Sequence, residues 1–286
     1  MSSLPERAAS GSRLKYFLRA FGYLVALAIV DVLAYRGVSR VFSLYAPSWL
    51  AALAASLASL GGVIGLTWAF CHSVDRTSLR SLGLEAPGWL AKLATGWGLG
   101  TLLQLLIFAA LGLAGWLTVE RSDWQPVDLS ISVLSWIIIS FNEELAFRGY
   151  ILQRLAQAWG LPVAVVASSL AFAAMHALNP NAQPLALASL FVAGLLLACA
   201  YLVSRSLWLP IGLHIGWNLA EMHLLGFAGS GVPEPALMRS VVHGPEWMTG
   251  GAFGPEGGLV GLAATAIGIV ILVAGYQVAA RRNTKP

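Results

Sequence analysis

Residues 137–150 read IIISFNEELAFRGY, with Glu143, Glu144 and Arg148 set inside an otherwise apolar run. The run extends from about Leu129 to Arg154, which as a helix is long enough to cross a hydrocarbon core of ~30 Å. A charge at the centre of a bilayer costs on the order of 3 kcal/mol by insertion scales, so three of them need a reason. Adjacent carboxylates point about 100° apart around a helix and cannot share one role. Glu144 precedes Arg148 by four residues, the favoured order for an intrahelical pair. Glu144 is therefore expected to be neutralised by Arg148, leaving Glu143 free to face a cavity.

The rest of the chain has the same character. Of its 286 residues 58% are hydrophobic and 10% charged, and the mean hydropathy is +0.75. Soluble domains carry about 25% charged residues. Eight apolar runs, near 17–35, 49–71, 93–117, 129–154, 161–178, 185–203, 207–225 and 258–279, predict an all-α bundle of about eight transmembrane helices. Continuous rather than alternating hydrophobicity favours helices over barrel strands. The first run follows Arg7, Arg13, Lys15 and Arg19 and resembles a signal peptide, but further spans follow, and it reads as a retained first helix. A cytoplasmic segment 1–16, an integral domain 17–279 with its core at about 129–225, and a cytoplasmic tail 280–286 are expected.

With the N-terminus inside, Arg76, Arg80, Lys92, Arg205 and Arg281 fall on the inner side, and only Arg36, Arg40, Arg121 and Arg239 outside. Both termini are then cytoplasmic, and Glu120, Asp123, Asp128, Glu234, Glu246 and Glu256 are external. The net charge of +4 is scattered over helix ends, which argues for topology and against a nucleic-acid partner. Cys71 and Cys199 lack metal or disulfide spacing and read as packing residues. Gly61/Gly65 and Gly96/Gly100 have the small-xxx-small spacing of close helix contacts. Trp49, Trp68, Trp89, Trp116, Trp124 and Trp208 sit where interfacial belts form. The longest connection, 226–257, is rich in Gly and Pro and forms either an ordered cap or a loose outer loop.

Two further polar sites lie in apolar runs. The fifth has Phe172 and His176 one turn apart in FAAMH, and the seventh has His214 and Asn218 one turn apart in HIGWN. A lone histidine in an apolar helix is more often a hydrogen-bonded core residue than a catalyst, and an imidazole–amide pair often only joins helices. A reversal around Gly160, Leu161 and Pro162, however, leaves Glu143 and His176 almost equally far from the turn, at one depth on antiparallel helices. Gly212 and Gly216 leave room beside His214 for another helix or a peptide. One glutamate, two histidines and an asparagine on three helices offer a general base, an imidazole partner and oxyanion donors, a set suited to attack of water on an amide carbonyl.

The ordered motifs EExxxR, FxxxH and HxxxN on successive apolar runs resemble the CPBP family of intramembrane proteases, which includes type II CAAX prenyl endopeptidases and bacteriocin-processing and self-immunity membrane proteins. The similarity covers roughly 129–225, and the stretch WMTGGAFGPEGG at 247–258 is similar to the region before the last span of bacterial relatives. The resemblance implies that Glu143 and His176 activate water, that His214 and Asn218 stabilise the oxyanion, and that Glu144, Arg148 and Phe172 support them. It also implies a hydrophobic or lipidated peptide substrate, a lipid environment and a multi-pass location in a cell membrane. Glu143, His176 and His214 would make a His2Glu zinc set with one open position. No HExxH helix is present, and metal-free hydrolysis is favoured.

Other readings remain open. The fold would also serve a non-catalytic scaffold or bacteriocin immunity factor, or a proton-coupled transporter, although the latter expects broken helices or repeated halves. Asp31 is either a second buried functional residue or an interfacial partner of Arg36. Glu221 and His223 either shape the cavity or end the helix, and Arg154 is expected to snorkel to the inner interface. His72 and His243 fall in expected loops.

Overall fold

The computed structural model describes residues 10–283, so Arg7, Lys285 and parts of the expected segments 1–16 and 280–286 lie outside the described residues. The chain forms α1 (Arg13–Phe42), α2 (Ser48–Asp75), α3 (Trp89–Leu113), β1 (Leu117–Arg121), α4 (Pro126–Trp159), α5 (Leu161–Met175), α6 (Pro184–Ser204), α7 (Trp208–Asn218), β2 (Met238–Val242) and α8 (Leu259–Asn283). All eight expected runs are helical. Six, α1 to α4, α6 and α8, are long and apolar enough to cross a membrane; α5 is apolar but shorter, and α7 runs on through a wide π turn, Leu219–Leu224. The molecule is a helical membrane bundle.

Local signals set the boundaries. Pro126, Pro162 and Pro184 stand in the first turns of α4, α5 and α6, where no intrahelical N–H is needed. Gly160, at φ 88°, reverses the chain between α4 and α5, which pack together. Three expected ends move. The third run stops as helix at Leu113, because Leu117 has entered β1; α5 stops at Met175, so that His176 caps it rather than lying within it; and α7 leaves α geometry after Asn218. π turns, often found at functional sites, also occur at Asp31–Gly37, Phe70–Asp75 and Leu145–Ile151, the last directly after the two glutamates.

The tightest helix pair is α3 with α7. A Cβ on Gly96 would strike the backbone of Leu209 and Leu213, and one on Gly212 would strike Leu93. Gly100 and Gly216 interlock in the same way, so the room beside Gly212 and Gly216 is taken by a helix. The expectation for Gly61 and Gly65 is overturned: both face open space, and it is Gly62 that meets Val30 of α1. Spacing alone does not say which face of α2 has a partner.

Arg154 is also corrected. It is buried, 3.8 Å from Asp75, bonded to Gln157 at 2.8 Å and stacked on Tyr150, because Asp75 offers a better partner than the interface. The Asp75 side chain, 1% exposed, also accepts Arg19 and Tyr150 at 2.7 Å each, tying α1, α2 and α4 together. Trp49, Trp68, Trp89 and Trp124 are exposed at helix ends and Trp116 and Trp208 partly so, as belt residues would be. Cys71 and Cys199 are free thiols. His72, expected in a loop, instead continues α2 and stacks on Trp68, while His243 pairs with Thr118 at 2.8 Å.

The long connection is an ordered cap. Its β2 pairs antiparallel with β1, Leu117 opposite Val242 and Arg121 opposite Met238, an element not expected from the sequence. The Leu237 N–H donates to the carbonyl of His223, and the Gly231 N–H to that of Phe253. These bonds hold the 228–232 turn over the helix ends.

Candidate active site

Glu143 and Glu144 end the regular part of α4 and take opposite environments. Glu144 is wholly buried; its Oε1 accepts Arg148 Nη1 at 2.7 Å and His214 Nδ1 at 2.9 Å. Arg148, 1% exposed, also donates to the Gly194 carbonyl at 3.2 Å, and its guanidinium lies 4.6 Å from the Phe172 ring centroid. The expected neutralisation of Glu144 is therefore present, and the same carboxylate orients an imidazole. An i,i+4 pair explains the first role, but only the fold brings α7 close enough for the second.

Glu143 keeps about a quarter of its side chain accessible, and its buried Oε2 has no hydrogen-bond partner. His214 Nε2 lies 3.8 Å from that oxygen. Since Arg148 keeps Glu144 an acceptor, His214 donates through Nδ1 and turns Nε2 toward Glu143. His176 is fixed by a 2.8 Å bond from Nδ1 to the carbonyl of Phe172, an acceptor only, so the proton resides on Nδ1 and the Nε2 lone pair is left for the cavity. The Phe172 ring lies 4.8 Å from the His176 ring and 6.2 Å from that of His214, a spacer between the two. Asn218, one turn beyond His214, donates to Ser140 Oγ at 3.1 Å, which fixes its amide plane.

Glu143, His176, His214 and Asn218 line one small inner cavity of about 40 Å³. Glu143 and His176 also line a larger outer cavity of about 480 Å³, walled by apolar residues such as Leu27, Val63, Ile139 and Phe147. Glu144 and Arg148 lie behind both. Trp136 and Ser230 border the two cavities, and Ser230 belongs to the cap.

The remaining candidates separate clearly. Asp31 pairs with Arg36 at 3.0 Å, both partly exposed at the mouth of the outer cavity, so it is not a second buried site. Glu221 and His223 are buried: His223 Nδ1 donates to the Pro235 carbonyl and anchors the cap, while Glu221 lies behind the inner cavity. Glu256, assigned to the outer side by the charge count, lines that cavity. Sequence reasoning missed it, with Trp217 and Ser230; the only signal was the similarity of 247–258 to relatives. Among the described residues no three His, Cys, Asp or Glu side chains are grouped closely enough to hold a metal ion.

Comparison with known proteins adds a family. An uncharacterized 24.3 kDa protein of Escherichia coli is 30% identical over 142 residues, 46% of this chain and 64% of that protein, so the match spans less than two thirds of the relative's length. No solved structure matches. In residues 123–220, which hold Glu143, His176, His214 and Asn218, the chain matches the family model of Rce1-like type II CAAX prenyl endopeptidases, as the three motifs implied.

Proposed function

We propose that the chain is an intramembrane endopeptidase of a cytoplasmic membrane that hydrolyses a peptide bond in a hydrophobic or lipidated substrate by a metal-free mechanism. The observation that carries this reading is the buried Glu143 Oε2, without a hydrogen-bond partner and 3.8 Å from the His214 imidazole, on a cavity that the oriented His176 also lines. Water held between Glu143 and His176 Nε2 gives its proton to Glu143 as its oxygen attacks the substrate carbonyl. The carbonyl π electrons move to oxygen, and the oxyanion is met by His214 Nε2–H and the Asn218 amide. Because His214 already donates through Nδ1, a proton on Nε2 makes it an imidazolium, whose charge suits that task. Collapse of the intermediate breaks the C–N bond, and Glu143 returns the proton to the departing amine. Glu144 and Arg148 touch no substrate and act as positioning residues.

The apolar walls of the outer cavity suit a hydrophobic chain or lipid, with Glu143 at its inner end. Prenylated substrates are part of this proposal through the family alone. A scaffold or immunity factor needs no unpartnered carboxylate beside two oriented histidines, and no internal repeat is legible that would favour a transporter.

The test is cleavage of a panel of hydrophobic and prenylated peptides by detergent-purified protein, with and without a chelator. Cleavage that resists the chelator supports the mechanism. Chelator-sensitive cleavage restored by zinc would replace it with a metal-dependent one.

A further inference from the structure

Apolar residues wall much of the outer cavity, and beside Glu143 one polar pair interrupts them. On α4 Ile139, Asn142 and Ala146 recur at three and four residues and share the face that lines the cavity, next to Trp136, Glu143 and Phe147. Ser59 and Val63, four residues apart on α2, line it as well. Asn142 Nδ2 donates to Ser59 Oγ at 3.2 Å and joins the two helices. Asn142 is 5% exposed and Ser59 9%, so bulk water does not complete their hydrogen bonding.

Each member of the pair has a bond left to make. Asn142 Oδ1 is buried and accepts no hydrogen bond among the described residues. The Ser59 hydroxyl accepts from Asn142 but finds no acceptor there for its own proton, whereas Ser56, Ser135 and Ser140 on the same two helices donate to the carbonyl four residues back. Exchanging the amide oxygen and nitrogen of Asn142 would exchange the two roles and still leave one donor beside one acceptor. A hydrocarbon chain against this wall would satisfy neither, which destabilises. The N–H and C=O of one extended residue satisfy both, because they point the same way, as where paired antiparallel residues exchange two bonds.

We propose that Ser59 and Asn142 bind the backbone N–H and C=O of one extended residue of the substrate, so that the outer cavity holds peptide chain at this depth. The peptide nature of the ligand rests on the peptidase reading. Because Asn142 immediately precedes Glu143 and both line the same cavity, that residue flanks the bond to be cut. Main-chain bonds of this kind supply affinity without reading the side chain, as in strand addition.

Backbone-edited peptides test this apart from cleavage. In the Glu143→Gln background, calorimetric titration compares acetyl-Leu-Ala-Leu-Ala-Leu-amide with analogues in which one backbone N–H at a time is replaced by an ester oxygen. One position is expected to lose about tenfold in affinity, and the added pair Ser59→Ala/Asn142→Leu to reduce that loss to about twofold or less. Replacing both partners by apolar groups leaves no unpaired group behind, so the protein is expected to fold. If it does not, Ser59→Ala alone carries the test, and it should weaken binding of the all-amide peptide by about fivefold or more. Equal affinities across the ester series, a loss that the double substitution leaves intact, unchanged binding by Ser59→Ala, or an all-amide peptide that does not bind would each overturn the proposal. The pair would then be a hydrated bond between helices. A peptide bound through Ser59 and Asn142 but never cleaved by the wild type would sink the peptidase reading and leave the backbone site standing.

Discussion

At the residue scale the arrangement depends on Glu144, which serves Arg148 and His214 through one oxygen. Glu144→Ala leaves a buried guanidinium without its counter-ion and should destabilise the protein by about 3–5 kcal/mol. The double variant Glu144→Leu/Arg148→Met should recover most of that loss in thermal unfolding, because an apolar pair replaces an ion pair, yet remain inactive because His214 has lost its orienting partner. A double variant as unstable as the single one would show that the pair is not the source of the cost. Much of this site was legible in the sequence. The four-residue spacing of Glu144 and Arg148 gave the pair, and the turn at Gly160 gave the common depth of Glu143 and His176. The bond from Glu144 to His214 was not legible, because it joins residues 70 apart in sequence, across two helices whose packing no local period encodes. Glu256 was hidden for a similar reason: a loop residue enters the cavity only through the fold of the cap.

At the element scale the α3–α7 contact sets the position of His214 and Asn218, and it tolerates no side chain. A Cβ at Gly212 must push α3 away, and Gly212→Ala should cost about 1–3 kcal/mol through overpacking and lower activity as His214 moves. Gly61→Ala, on an open face of α2, should be neutral or stabilising by up to about 1 kcal/mol through helix propensity. Equal losses at both positions in thermal unfolding would contradict this assignment. Both glycines belong to GxxxG spacings, so the sequence showed where a close contact was permitted, while the partner surfaces decided where one formed. The β1–β2 ribbon was invisible for a related reason: five-residue strands at the edge of apolar helices leave no alternating pattern long enough to read.

At the scale of the whole molecule the excess of Lys and Arg in alternate connections predicts which connections face the cytoplasm. With Cys71 and Cys199 replaced, a single cysteine at Asp123 should react with an impermeant thiol reagent on intact cells, and one at Ser81 only after lysis. The reverse pattern would invert the topology. The same bundle gathers groups from α4, α5 and α7 around two cavities, leaving one carboxylate without a partner where the cavities meet. The most direct test of that carboxylate is the turnover of one cleaved peptide by wild type and by Glu143→Gln, with affinity measured on the same samples. A fall in kcat of about 10²–10⁴-fold with affinity retained is the result expected for loss of the general base. A Glu143→Gln protein that folds, binds and cleaves like the wild type would show that Glu143 does not activate the water.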